Sequence, residues 1–193
     1  IAMGYDPQSY QTIQRGTYDV KNGRVLGKWQ NLYEGIARAN GVLQNVDRCQ
    51  MSDELKVQYK AEAKFMRALY YFTLMDFFGG VPLYDESVIV SESYSEMKNK
   101  RESIENVRAF ILKDLKEAAD KLPEAWDKAN YGRATKYAAL AQMGKVYLYA
   151  KDYQHAKDCF QQVISSGKYA LYDNYADLFK PGGDESSEMI FES

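Results

Sequence analysis

The stretch AEAKFMRALYYFTLMDFFGGVPLY, residues 61–84, constrains the fold more than any other part of the chain. It opens with helical spacing. From Phe65 onward its apolar side chains (Phe65, Met66, Leu69, Tyr70, Phe72, Leu74 and Phe77) point in every direction around a helix axis. A helix apolar all round must be covered on more than one face. It is therefore predicted to be a central post, with helices before and after it packed alongside, until Gly79-Gly80 and Val81-Pro82 break it. Arg67 sits in its middle. The positions three and four residues away hold Ala63, Lys64, Tyr70 and Tyr71, so no carboxylate on the same helix can reach it. A buried guanidinium left unpaired costs on the order of 3–5 kcal/mol. The expected partner is Asp114, which lies between Phe110 and Ala118 close to the apolar stripe of a later helix; Asp76 and Glu62 are weaker candidates. An Arg67–Asp114 pair would fix helix register. The alternative is an exposed arginine lying over Tyr70 and Tyr71.

Periodicity predicts helices over about 28–48, 53–78, 103–122, 134–150 and 153–166. Ser52, Ser103 and Asp152 are the expected N-caps, and Pro123 and Gly167 the stops. Residues 1–27 carry scattered Gly and Pro and are expected to be irregular, as are the loops 79–102 and 124–133. A short turn is expected at 173–179, and a strand start at 188–192. This is an all-α pattern with long irregular loops. Residues 1–193 are read as one domain: an irregular lead at 1–27, a helical core at 28–167, and an irregular tail at 168–193. With no initial Met and a strand just beginning at its end, the chain is read as a fragment of a longer protein.

The last two helices are joined by so short a link that they must be antiparallel neighbours. Leu140, Met143, Gly144, Tyr147, Ala156 and Phe160 fit the tetratricopeptide pattern W-x2-L-G-x2-Y…A-x3-F, with Leu for Trp and Met for Leu. Gly144 and Ala156 let two backbones approach, and Tyr147 and Phe160 fill the seam. The first helix repeats the opening with Trp29, Leu32, Tyr33 and Ile36. A tetratricopeptide-like α–α superhelix is expected; a chance helical hairpin is the alternative.

Several chemistries are disfavoured. A net charge of −2 supplies no field for nucleic acid, and the short run Lys98–Arg101 reads as a solvated loop. Cys49 and Cys159 form no metal-ligand spacing; they are read as idle thiols, with a disulfide as the alternative. Any histidine-based catalytic device would need His155, the single histidine, which sits beside Lys151 and Asp152. There is no Gly-rich phosphate loop. The reading is therefore a non-enzyme without cofactor or metal. No apolar run is long enough for a membrane-spanning helix.

The motifs W-x2-LY-x2-I-x2-AN at Trp29–Asn40, the 61–83 segment, R-x-S-x3-V at 101–107 and DL-x2-A at Asp114–Ala118 resemble those of the SusD/RagB family. So do Leu122-Pro123, GRATKYAALAQMGKVYLY at 132–149 and EMIFE at 188–192, all in family order. The resemblance implies a surface lipoprotein of the outer membrane that captures nutrients, usually oligosaccharides, above a SusC-like TonB-dependent transporter. It also implies tetratricopeptide-like helix pairs beside a more irregular ligand-binding half. The lipidated cysteine typical of the family is not in this segment, so membrane contact is expected only through an anchor upstream of it.

The count of 17 tyrosines against 8 phenylalanines favours surfaces that pair a ring face with a polar tip, suited to helix seams or to flat ligands. Helical tyrosines such as Tyr70 and Tyr147 are assigned to the core, and Trp29 to structure. Loop residues are the better ligand candidates: Tyr5, Tyr10, Tyr18, Asn22 and Arg24 in the lead, and Tyr84 and Tyr94 in the long loop. The competing function is a tetratricopeptide adaptor that grips a protein or peptide segment.

Overall fold

The computed structural model describes residues 7–19, 21–88, 100–180 and 186–191. These residues form six α-helices: α1 (Pro7–Gln14), α2 (Gly23–Asn45), α3 (Asp53–Phe78), α4 (Ile104–Lys121), α5 (Lys136–Tyr149) and α6 (Tyr153–Ser165). Short 3-10 turns follow at Val46–Arg48, Lys128–Asn130 and Tyr175–Phe179. No strand occurs among the described residues.

The caps fall where the sequence places them. Ser52 accepts from the Leu55 amide at 3.3 Å, Ser103 from Asn106 at 3.2 Å, and Asp152 from His155 at 3.3 Å. Each satisfies one of the amides that a helix start leaves orphaned. Gly79, with φ 72°, closes α3 in a conformation that side chains with a Cβ rarely adopt.

α3 is the central post. It packs against α2 on one side and α4 on the other, and touches α5. Phe65, Ala68, Tyr71 and Leu74 of α3 are each at most 1% exposed. They meet Ile36 of α2 and Val107, Ile111 and Leu115 of α4 in one core. Burying a side chain of this size contributes about 1.5–3 kcal/mol, so α3 is held far more by this packing than by helix propensity.

α5 and α6 form the expected close hairpin. A Cβ built on Gly144 would lie 2.5 Å from the Phe160 ring, so only glycine fits. The same device appears between α2 and α3, where a Cβ on Gly35 would come within 2.6 Å of the Tyr70 ring. This second contact was not read from the sequence, because Gly35 lies off the tetratricopeptide glycine position.

Two expectations need correction. The lead was expected to be irregular to residue 27, but it holds α1 and the first turn of α2. Pro7 stands at the head of α1, where a missing N–H costs nothing. Gly23 and Gly27 lie inside α2, where the Asn22 cap offsets their poor propensity. The tail was expected to start a strand at 188–192. Residues 186–191 instead turn back on the helices, and 192 lies outside the described residues. The Ala170 amide donates to the Ser187 carbonyl at 3.1 Å, and Phe191 sets its ring edge-on to Phe65 at 4.9 Å. Ile190 and Phe191 pack against the helical core there.

Candidate functional site

Arg67 and Asp114 meet at the centre of the α2–α3–α4 layer. Arg67 Nε donates to Asp114 Oδ2 at 2.7 Å and Nη2 to Oδ1 at 2.9 Å, and both side chains are 2% exposed. Nη1 donates to Asn40 Oδ1 and to Glu86 Oε2, each at 2.6 Å, and the guanidinium carbon lies 4.9 Å from the Phe110 ring centroid. Burial opposes the charge on Arg67, but the bonds and charges of Asp114 and Glu86 outweigh it and hold the group above its ordinary pKa. Burial pushes the Asp114 carboxyl up, and Arg67 pulls it back only in part. Glu86 is lowered: burial raises it, but the Arg67 hydrogen bond and charge prevail. The other two candidate partners lie elsewhere. Asp76 is exposed, and Glu62 pairs with Arg133.

This hub has a task beyond register. The chain leaving α3 runs as a strap over residues 79–88, and its alternate carbonyls are held by side chains. Arg101 binds those of Phe78 and Gly80, Tyr33 Oη that of Pro82 at 2.8 Å, and Asn40 Nδ2 that of Tyr84 at 3.0 Å. Gln44 Nε2 binds those of Glu86 at 2.9 Å and Val88 at 3.0 Å. Tyr71 Oη donates to the Tyr84 carbonyl at 3.1 Å and accepts from its amide at 2.7 Å. Tyr33, Asn40 and Gln44 are seven and four residues apart, so they share one face of α2. An extended segment repeats every two residues, and the helix face offers a matching row of polar tips.

The strap carries the candidate Tyr84, whose ring stands 5.8 Å from Tyr33 in an edge contact. Tyr33 in turn touches Trp29 at 4.9 Å, and Trp29 meets Phe78 edge-on at 5.0 Å. Phe77, 65% exposed, extends this seam to the surface. Trp29 is thus one member of an aromatic seam that reaches Tyr84 on the strap. Tyr94 and Tyr5 lie outside the described residues.

The lead candidates form a separate corner. Arg24 of α2 lies with its guanidinium carbon 4.3 Å from the Tyr10 ring centroid. Tyr10 of α1 is 47% exposed, and Tyr18, on the link, is 53% exposed. Asn22 was expected to offer a polar contact to a ligand, but it is used inside the corner. Its Oδ1 caps α2 through the Arg24 and Val25 amides, and its Nδ2 donates to the Ser9 carbonyl at 3.1 Å and to Thr12 Oγ1 at 3.0 Å. It fixes α1 on α2 and so sets where Tyr10 and Arg24 stand. The corner offers a tyrosine face beside a cation and a second exposed tyrosine, a set suited to the C–H faces and hydroxyls of a sugar.

His155 Nδ1 bonds the cap residue Asp152 at 2.7 Å, and its ring stacks on Tyr147 at 5.0 Å. Among the described residues no group of three or more His, Cys, Asp or Glu is placed to hold a metal. Cys49 and Cys159 are free thiols. Among the described residues no helix is long and apolar enough to cross a membrane.

A SusD-like family model, described as "Starch-binding associating with outer membrane", matches residues 3–148. SusD-like protein P25 of Formosa agariphila is 30% identical over 173 residues, covering 89% of this chain and 32% of that protein. A solved laminarin-binding SusD-like protein is similar at 33% identity and TM-score 0.79, over 85% of this chain and 36% of that one. A solved structure with a xylogluco-oligosaccharide is similar at 29% identity and TM-score 0.80, over 97% of this chain and 39% of that one. The chain spans about a third of the length of the curated relatives it matches.

Proposed function

The chain belongs to the SusD-like family, and on that premise we propose that it is the helical part of a surface protein of the outer membrane that captures oligosaccharide without chemistry. It passes the ligand to a SusC-like TonB-dependent transporter, and a lipid anchor upstream of this segment holds it at the membrane. The observation that carries this reading is the family match over most of the chain, joined to a fold shared with a structure that holds a xylogluco-oligosaccharide. The Tyr10–Arg24 corner with Tyr18, and Tyr84 on the strap, supply aromatic faces and a cation of the kind that sugar recognition uses.

The α5–α6 hairpin favours a second reading, a tetratricopeptide adaptor for peptides. The strap weighs against it. An adaptor grips an extended segment through polar tips on its helices, and here the tips of α2 and α3 already hold the chain's own residues 82–88.

The test is calorimetric titration with laminari-, xyloglucan- and malto-oligosaccharides. At least one is expected to bind, and Tyr10→Ala, Arg24→Ala or Tyr84→Ala to weaken it. A chain that binds no glycan but does bind peptides would overturn the reading. Co-purification of the full-length protein with its membrane transporter tests the delivery step.

A further inference from the structure

We propose that the cleft between the α4–α5 link and the returning tail is a second carbohydrate site, shaped for one sugar ring. This rests on the glycan-binding reading above and adds a site on different elements from the N-terminal corner and the strap. The cleft has a volume of about 160 Å³, and its lining includes Trp126, Tyr131, Thr135, Tyr169, Ile190 and Phe191. It is smaller than the several hundred Å³ that drug-sized ligands occupy. An oligosaccharide would therefore enter by a terminal residue.

The aromatic lining is preorganised. The Trp126 indole N–H donates to the Ala134 carbonyl at 2.8 Å, and the Arg133 guanidinium carbon lies 4.2 Å from the Trp126 ring centroid. Arg133 is fixed in turn by Glu62, at 2.5 Å and 3.2 Å, and by Asn130 Oδ1 at 2.8 Å. Glu62 belongs to α3, so this clamp ties the link to the central post. Phe191, also in the lining, is seated against Phe65. Such a site loses little conformational freedom when a ligand arrives.

The chemistry selects the ligand class. A pyranose presents C–H faces and a rim of hydroxyls. The cleft is lined by tryptophan and tyrosine rings and by two hydroxyls, Thr135 Oγ1 and Tyr169 Oη, which bond each other at 3.4 Å; Thr135 Oγ1 also accepts from the Ala138 amide as the cap of α5, so one O–H of the pair remains to donate to a ligand. A wholly apolar ligand would leave that remaining O–H without an acceptor. A peptide segment needs more length than one ring.

The chain has two tryptophans, so Trp29→Phe leaves Trp126 as the single reporter while keeping an aromatic ring against Tyr33 and Phe78. Emission is followed during titration with the methyl glycosides of glucose, galactose, mannose, xylose and fucose, and with the oligosaccharides used above. A saturable change with at least one sugar is expected. Tyr131 is 56% exposed, so Tyr131→Ala leaves the core intact, and it should weaken that binding roughly two- to twelvefold. No change in Trp126 emission with any sugar overturns the proposal, as does a response untouched by Tyr131→Ala or one given only by an apolar dye. Oligosaccharide heats that persist without a Trp126 response refute the cleft and leave the capture function standing. Absence of binding by both readouts removes both.

Discussion

Replacing Arg67 with methionine separates a buried hub from a surface arginine. The substitution keeps the unbranched aliphatic stem and removes the guanidinium. Asp114, 2% exposed, then loses both of its bonds to Arg67, while Asn40 Oδ1 and Glu86 Oε2 each lose a donor. Breaking a buried pair from one side costs about 3–5 kcal/mol. For a chain of 193 residues each kcal/mol shifts the midpoint by about 2–4 °C. The expected fall is therefore about 6–20 °C, followed by far-ultraviolet circular dichroism. The loss should depend on pH with a definite sign. The orphaned Asp114 carboxyl has a folded pKa raised further above its unfolded value by burial without Arg67. The penalty is then full above the folded value and recedes as pH falls through it toward the ordinary carboxylate range. The double variant Arg67→Met/Asp114→Leu should recover much of the loss, because it leaves no buried charge at that point. A fall in midpoint below about 2 °C, or a deficit that stays constant from neutral to mildly acidic pH, would refute the argument.

Gly144→Ala is expected to destabilise by about 1–3 kcal/mol, since the new methyl meets Phe160, with Phe160→Leu in the same chain restoring part of it; urea midpoints measure both. Asn22→Ala should cost about 0.5–2 kcal/mol and raise amide hydrogen exchange in α1 before the rest of the protein, because the cap and the tie to Ser9 and Thr12 go together. Burial pushes the Tyr33 and Tyr71 hydroxyls well above the ordinary tyrosine pKa. Their folded values exceed the unfolded one, so their contribution is full below about pH 10 and is lost as pH rises beyond it. Absorbance near 295 nm should show a late-ionising fraction, which Tyr71→Phe diminishes.

The central post was legible because a helix apolar all round has few ways to be covered, and the polar caps mark its ends without tertiary help. Arg67 was legible as a demand for a partner, since its own helix supplies no carboxylate. The α5–α6 hairpin was legible because Gly144 and Phe160 occupy a known pattern. The lead was misread. Gly and Pro weigh against helix on average, but Pro7 stands at a helix head and Asn22 anchors the glycine-rich start of α2.

The candidate site was less visible than the fold. Tyr10 and Arg24 are fourteen positions apart, and only the α1–α2 corner sets one over the other. The strap was visible as a long irregular segment but not as a held one, for its hold depends on polar tips from α2, α3 and Arg101. The cleft draws Trp126, Tyr169 and Phe191 together from three stretches of chain. Periodicity, caps and the need to pair a buried charge act over a few residues or through a single strong constraint, so the amino-acid order alone determined the helices, their post and the demand for a counter-ion. Which distant carbonyls, rings and carboxylates meet depends on how the helices dock. That docking is the sum of many weak contacts between remote positions, and only the tertiary structure decided it.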